Sequence, residues 1–94
     1  MLAIIAKLKP AAGKEPEFEA VMTDLCAAVR ANEPGNRLYT LTKDADGNYL
    51  MLELYEDEAS LAAHGKSEHF RTIGARLGGI MAGRPEITRL EVIA

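Results

Sequence analysis

Arg37-Leu-Tyr-Thr-Leu-Thr-Lys43, Asp44-Ala-Asp-Gly-Asn48 and Tyr49-Leu-Met-Leu-Glu-Leu-Tyr-Glu56 follow one another at the centre of the chain. The outer two runs alternate in character and are rich in strand-forming residues, while the segment between them is turn chemistry, so the stretch predicts a β-hairpin with a short loop. Successive side chains of a strand point to opposite sides. Along the second arm this puts Leu50, Leu52 and Leu54 on one face and Tyr49, Met51, Glu53 and Tyr55 on the other. The leucine face suits a helix-covered core, and the other face is too apolar to be plainly solvated.

Upstream, Phe18, Val21, Met22, Leu25 and Val29 fall at i, i+3, i+4, i+7 and i+11, the stripe of an amphipathic helix, with Glu19, Asp24 and Arg30 off it. Glu15-Pro16-Glu17 supplies an acidic first turn with an early proline, and Asn32-Glu33-Pro34-Gly35 supplies the stop. Before that helix, Leu2 to Leu8 is apolar on both alternating sets and predicts a strand covered on both faces. Downstream, Asp57 caps a short helix running to Ala63. Gly65 interrupts it, and Ser67 caps a longer one carrying Phe70, Ile73, Leu77, Ile80 and Met81. Gly74, Gly78 and Gly79 weaken the end of that helix, each by about 1 kcal/mol against alanine. Gly83-Arg84-Pro85 closes it, and Ile87 to Ile93 forms a last strand.

The order β-α-β-β-α-β is the ferredoxin-like arrangement, an α+β fold with a four-stranded antiparallel sheet and the helices on one face. Ile5, Leu41 and Met51 are then expected on a sheet face that no helix of the same chain covers, and an uncovered apolar sheet is a liability. A homodimer pairing two open sheet faces removes it.

With 94 residues, 48% of them hydrophobic and 27% charged, the chain is expected to form one domain spanning residues 1–94. A domain this small buries only roughly two thirds of its unfolded surface, which favours self-association. The net charge is −3 and the basic residues form no stripe, so nucleic acid is not an expected partner. No apolar run approaches the ~20 residues of a membrane span and no signal-like n-region opens the chain, so no membrane partner and a soluble, cytoplasmic location are expected. Cys26 is the single cysteine, which leaves no disulfide within the chain and suits a small packing residue.

The two histidines, His64 and His69, are the candidate catalytic groups. Imidazole exchanges a proton near neutral pH. They are not at the i, i+4 spacing of a helical zinc pair, and no carboxylate lies at ligand spacing, so a metal would need distant Glu53 or a partner chain; no metal is expected. Ordinary structural roles stand beside these: His64 fixing the helix break at Gly65 through a backbone hydrogen bond, His69 packing or capping in a first helical turn beside Phe70. Tyr39 and Tyr55 suit a pocket wall as well as a core. Asn36 is able to orient a substrate oxygen but follows a Pro-Gly turn, where asparagine is common. Arg37, Arg71 and Arg84 suit an anionic ligand, though lone arginines are usually solvated.

Met-Leu-Ala-Ile-Ile-Ala at the start, Pro10-Ala-Ala-Gly13-Lys14 with Phe18 after it, Glu33-Pro34-Gly35, and above all Glu53-Leu-Tyr55-Glu-Asp-Glu-Ala with Ala63-His64-Gly-Lys-Ser67-Glu-His69-Phe70 make the chain resemble the antibiotic biosynthesis monooxygenase family. The resemblance covers nearly the whole chain. It implies a dimeric α+β barrel of ferredoxin-like subunits and, in the best understood members, oxygenation of quinol-like or polycyclic aromatic substrates without metal, flavin or haem, hence no cofactor. Similar sequences include an isomerase of a phosphorylated signal molecule, which shares the pattern of His64 and His69 with Tyr55. Haem-degrading relatives carry a histidine where Gly74 stands, a tryptophan where His64 stands and an asparagine in the first strand. None of these is present. The monooxygenase-like members often have tryptophan in place of Tyr55.

The reading is therefore a cofactor-independent monooxygenase acting on a small aromatic quinol or phenol. His64 is the base, with His69, Tyr55, Tyr39, Asn36 and Phe70 around the substrate. The alternatives are an isomerase or tautomerase of a small dicarbonyl, phosphorylated or not, and a non-catalytic ligand-binding stress-response dimer.

Overall fold

A computed structural model describes residues 1–94. Strand β1 (Leu2–Leu8) leads into helix α1 (Glu15–Asn32), the hairpin β2 (Asn36–Lys43) and β3 (Tyr49–Tyr55), helices α2 (Glu58–Lys66) and α3 (Glu68–Gly74), a 3₁₀ turn (Ala75–Leu77) and β4 (Glu86–Glu91). The sheet has the order β2-β3-β1-β4, and every neighbouring pair is antiparallel. This is the α+β, ferredoxin-like arrangement expected from the element order, with its second helix divided in two.

Helix α1 forms as its stripe predicts: Phe18, Val21, Met22, Leu25 and Val29 are all buried, and Cys26 joins them. The Arg30 guanidinium donates through Nη2 to the Tyr39 carbonyl at 2.9 Å, tying the last turn of α1 to β2. In the hairpin loop the Asp44 Oδ1 accepts from the backbone N–H of Asp46 and of Asn48, each at 2.9 Å.

The helices cover the face of the sheet opposite to the one the leucines suggested. Tyr49, Met51, Glu53 and Tyr55 point to them and are buried, as are Ile4, Ala6 and Tyr39. The register fixes this, because Met51 lies opposite both Ala6 and Leu41, and Glu53 opposite both Ile4 and Tyr39. Leu41 and Met51 therefore belong to the helix-covered core rather than to the open face. The open face carries Ile5, Leu50, Leu52 and Leu54, half-buried, with Leu38 and Leu90 more exposed at its flanks. Apolarity alone does not choose between faces when both are apolar; α1 decides it, since Phe18 packs on Tyr49 with ring centroids 4.8 Å apart.

The break between α2 and α3 falls at Ser67, not at Gly65, which lies inside α2. Ser67 is extended; its hydroxyl donates to the His64 carbonyl at 2.8 Å and accepts from the Phe70 N–H at 3.2 Å, closing one helix and opening the next. Regular helix then stops at Gly74 instead of running on to Met81. The glycines give little resistance to leaving the helix, and Gly79 takes a positive φ of 79° that reverses the chain. Ile80 and Met81 instead run alongside the segment after β1: Ala11 N–H donates to Ile80 O at 2.7 Å and Ala82 N–H to Lys9 O at 2.8 Å. The helix layer thus ends short of β4, where Ile87 is 59% exposed on the helix side of the sheet.

Candidate functional site

The short helix layer leaves a cleft of about 870 Å³ between the sheet and α2–α3. Ile4, Ala6 and Met51 form part of its floor, while Tyr39, His64 and Phe70 stand around one end and Lys66, Arg71 and Arg89 bring positive charge to its lining. Arg89 is also ion-paired with Glu58.

His64 sits in the last turn of α2 and is 6% exposed. Its ring is enclosed by Tyr39, Tyr55 and Phe70 at centroid distances of 5.1, 5.5 and 4.7 Å. The Nδ1–H donates to the Glu33 carboxylate, 2.9 Å from Oε2 and 3.1 Å from Oε1. An ionised carboxylate only accepts, so the imidazole nitrogen that meets it carries the hydrogen. In the neutral ring Nε2 is then a bare acceptor. It has no hydrogen-bond partner in the protein, yet no polar side-chain atom is sealed away unpaired, so Nε2 opens on the cleft that His64 lines.

His69 reaches the same carboxylate from the other side, its Nε2 hydrogen-bonded to Glu33 Oε2. Glu33 is placed for both by the end of α1, where its N–H still bonds to Val29 O at 3.0 Å, and by the close approach of α2 to Gly35. A methyl group at Gly35 would stand 2.0 Å from the Ser60 hydroxyl, so only glycine lets α2 come this near the turn.

Glu33, His64 and His69 offer ligand atoms all within 4.8 Å of one another, so the fold does bring to the two histidines the carboxylate that sequence spacing did not. The 2.9 Å between His64 Nδ1 and Glu33 Oε2 is a hydrogen-bond distance. Two ligands on one tetrahedral ion, each at ~2.0–2.1 Å, stand about 3.3 Å apart. The geometry is that of a carboxylate orienting two imidazoles.

Glu53 also lines the cleft, 9% exposed, and its Oε1 accepts from the Tyr55 hydroxyl at 2.7 Å. Burial pushes its carboxyl pKa up, and the Tyr55 hydrogen bond and the nearby His64 offset this only in part. Burial, reinforced by the charge of Glu53, raises Tyr39 far above the usual phenol range, and Tyr55 likewise, where the hydrogen bond to Glu53 adds to it. Both phenols therefore stay protonated and act as donors or walls, not as bases. Burial also raises the Cys26 thiol, consistent with a packing role.

Of the residues singled out from sequence, His64, Tyr39 and Phe70 line the cleft, and Tyr55 is fully buried behind it. His69 and Asn36 do not line it. They border a separate polar hollow of about 340 Å³ beside Glu33, and the Asn36 amide is spent on the Leu38 carbonyl at 3.0 Å. Two acidic residues were missed as site residues. Glu33 reads as helix-stop chemistry and Glu53 only as a distant metal ligand, although both stand in the motifs that carry the family resemblance and Glu53 is a charge on an otherwise apolar face.

The family model described as antibiotic biosynthesis monooxygenase matches residues 1–76. A Caulobacter crescentus CB15 structure named "putative antibiotic biosynthesis monooxygenase" is 41% identical and superposes with a TM-score of 0.93 over 99% of this chain and 90% of that one. The structure of Rv0793 from Mycobacterium tuberculosis is 26% identical, with a TM-score of 0.89 over 99% and 95% of the two chains. The Bacillus subtilis (strain 168) protein named "Putative monooxygenase YcnE" is 28% identical over 94 residues, 98% of each chain.

Proposed function

The chain belongs to the antibiotic biosynthesis monooxygenase family, and from that premise we propose that it oxidises a small aromatic quinol or phenol with dioxygen in the cleft beneath α2 and α3, without a cofactor. The observation that carries this is the imidazole of His64: Nδ1–H is fixed on Glu33 and Nε2 faces an apolar cavity large enough for a fused aromatic ring. Nε2 takes the proton of the bound hydroxyl. The phenolate passes one electron to dioxygen and recombines with the superoxide at a ring carbon. Loss of water from the hydroperoxide leaves one oxygen atom in the product.

The electrons balance within the substrate. A naphthoquinol and O₂ give a hydroxynaphthoquinone and water, and a phenol and O₂ give a quinone and water, so no external reductant is consumed. Glu33 positions His64 and stabilises the imidazolium that forms, and His69 holds Glu33 from behind.

The homodimer belongs to the same proposal. Ile5, Leu50, Leu52 and Leu54, flanked by Leu38 and Leu90, would meet their counterparts on a second copy, closing two sheets into one barrel. Lys66, Arg71 and Arg89 at the cleft favour a second reading, an isomerase moving a proton α to a carbonyl in a phosphorylated dicarbonyl. Dioxygen consumption separates the two. Uptake by purified, metal-free protein over a panel of reduced naphthoquinols, with autoxidation subtracted, is expected to fall on the order of 10²-fold or more in His64→Ala. Uptake no greater than background, or unchanged in the variant, removes the oxygenase reading.

A further inference from the structure

Glu53 is a buried carboxylate in the middle of β3, with Ile4 and Tyr39 beside it across the neighbouring strands. No cation pairs with it, and its one protein hydrogen bond is the Tyr55 hydroxyl on Oε1. Burying an unpaired carboxylate opposes folding, so a leucine or glutamine would serve the sheet better. The second oxygen, Oε2, has no partner in the protein. Because no polar side-chain atom is both sealed and unpaired, Oε2 opens on the cleft that Glu53 lines.

The cleft therefore holds two acceptors that meet no donor of the protein, Nε2 of His64 and Oε2 of Glu53, beside the Tyr39 hydroxyl, which stays protonated and has no partner in the protein. A ring with one hydroxyl satisfies one of them and strips water from the other. Leaving such a group dry costs about 1–3 kcal/mol, and more when it is charged. A ring with two hydroxyls satisfies both. We infer that Glu53 is a second substrate-contacting residue and that the cleft selects an aromatic diol, a quinol, over a monohydric phenol: one hydroxyl donates to His64, the other to Glu53. This inference rests on reading the cleft as a phenol site, but it concerns binding and does not require that dioxygen be consumed.

The test is anaerobic binding of 1,4-dihydroxynaphthalene, 4-methoxy-1-naphthol and 1,4-dimethoxynaphthalene, compounds with the same ring and two, one or no donor hydroxyls. Wild-type protein is expected to weaken in two steps, each roughly 10-fold, the difference that losing one hydrogen bond to an otherwise unpaired acceptor makes. In Glu53→Gln the amide oxygen still accepts from Tyr55 and the NH₂ group faces the cleft. An N–H donates to a methoxy oxygen as well as to a hydroxyl oxygen, so the preference for the diol over the monomethyl ether is expected to collapse to about 2-fold or less. The wild-type series by itself decides the matter should the variant not fold. A single step in that series, an undiminished diol preference in folded Glu53→Gln, or no binding of any of the three overturns the inference. Two-step binding without dioxygen uptake sinks the oxygenase reading and leaves this one standing.

Discussion

Strand β3 presents two different surfaces from one run of residues. Its odd positions, Tyr49, Met51, Glu53 and Tyr55, are between 0% and 9% exposed beneath the helices. Its even positions, Leu50, Leu52 and Leu54, lie half-buried on the open face. The more polar set is the one that is covered, because register and the packing of Phe18 on Tyr49 turn it toward α1 and the cleft. The purely apolar set faces outward, where its uniformity suits a flat surface meeting another like itself. Strand parity thus separates the cleft side of the sheet from the open leucine face, and a slip of one residue would exchange them.

Truncation on the covered side gives the largest effect expected. Met51→Ala removes a side chain that is 1% exposed and is expected to cost about 2–5 kcal/mol, read as a urea midpoint shift with little change in slope. A loss below about 1 kcal/mol would mean that the odd face is not the close-packed one. One residue along, Leu52→Lys is expected to leave the protomer folded while sedimentation at low micromolar concentration shifts from dimer to monomer. It should also abolish any dependence of Tm on protein concentration. A wild-type sedimentation profile in that variant breaks the division of labour between the faces.

The smallest effect sharpens the comparison within the covered side. The carboxyl of Glu53 has a folded pKa above its ordinary value of 4.5, mainly through burial. The folded state therefore binds that proton more tightly than the unfolded state does. The stability this brings is fully present below about pH 4.5 and is lost as pH rises through the folded pKa. Glutamine does not titrate, so Glu53→Gln is expected to melt a few degrees above wild type at pH 7 and to lose that advantage near pH 4. An advantage that stays constant across that range would show that burial of the charge is not its origin.

Local signals were legible. The periodicity of Phe18 to Val29 described α1, and the element order described the sheet, since each depends on residues a few positions apart. The hairpin was legible but its facing was not: both faces of β3 are apolar, and which one meets α1 is decided by register across three strands. The glycines at 74, 78 and 79 announced a weak helix end, though not that Ile80 and Met81 would pair with the segment after β1. At the site, His64 stood out by its chemistry and Phe70 by its neighbourhood. Glu33 lies 31 positions before His64, and only the return of α2 over the Gly35 turn brings them together. No pattern of spacing carries that.

The roof of the cleft is barer than its floor. Gly65 and Gly74 both line the cavity from α2 and α3, and a methyl group at either would meet no atom within 4 Å. Each lies at the C-terminal end of its helix with a negative φ that alanine adopts as readily, so the backbone does not demand the open space. The floor belongs to a sheet whose every position is tied to its neighbours, but these two sites are free of such ties. A descendant of this chain therefore has a route to smaller or differently shaped ligands that begins with a single added methyl and, at its first step, strains no backbone.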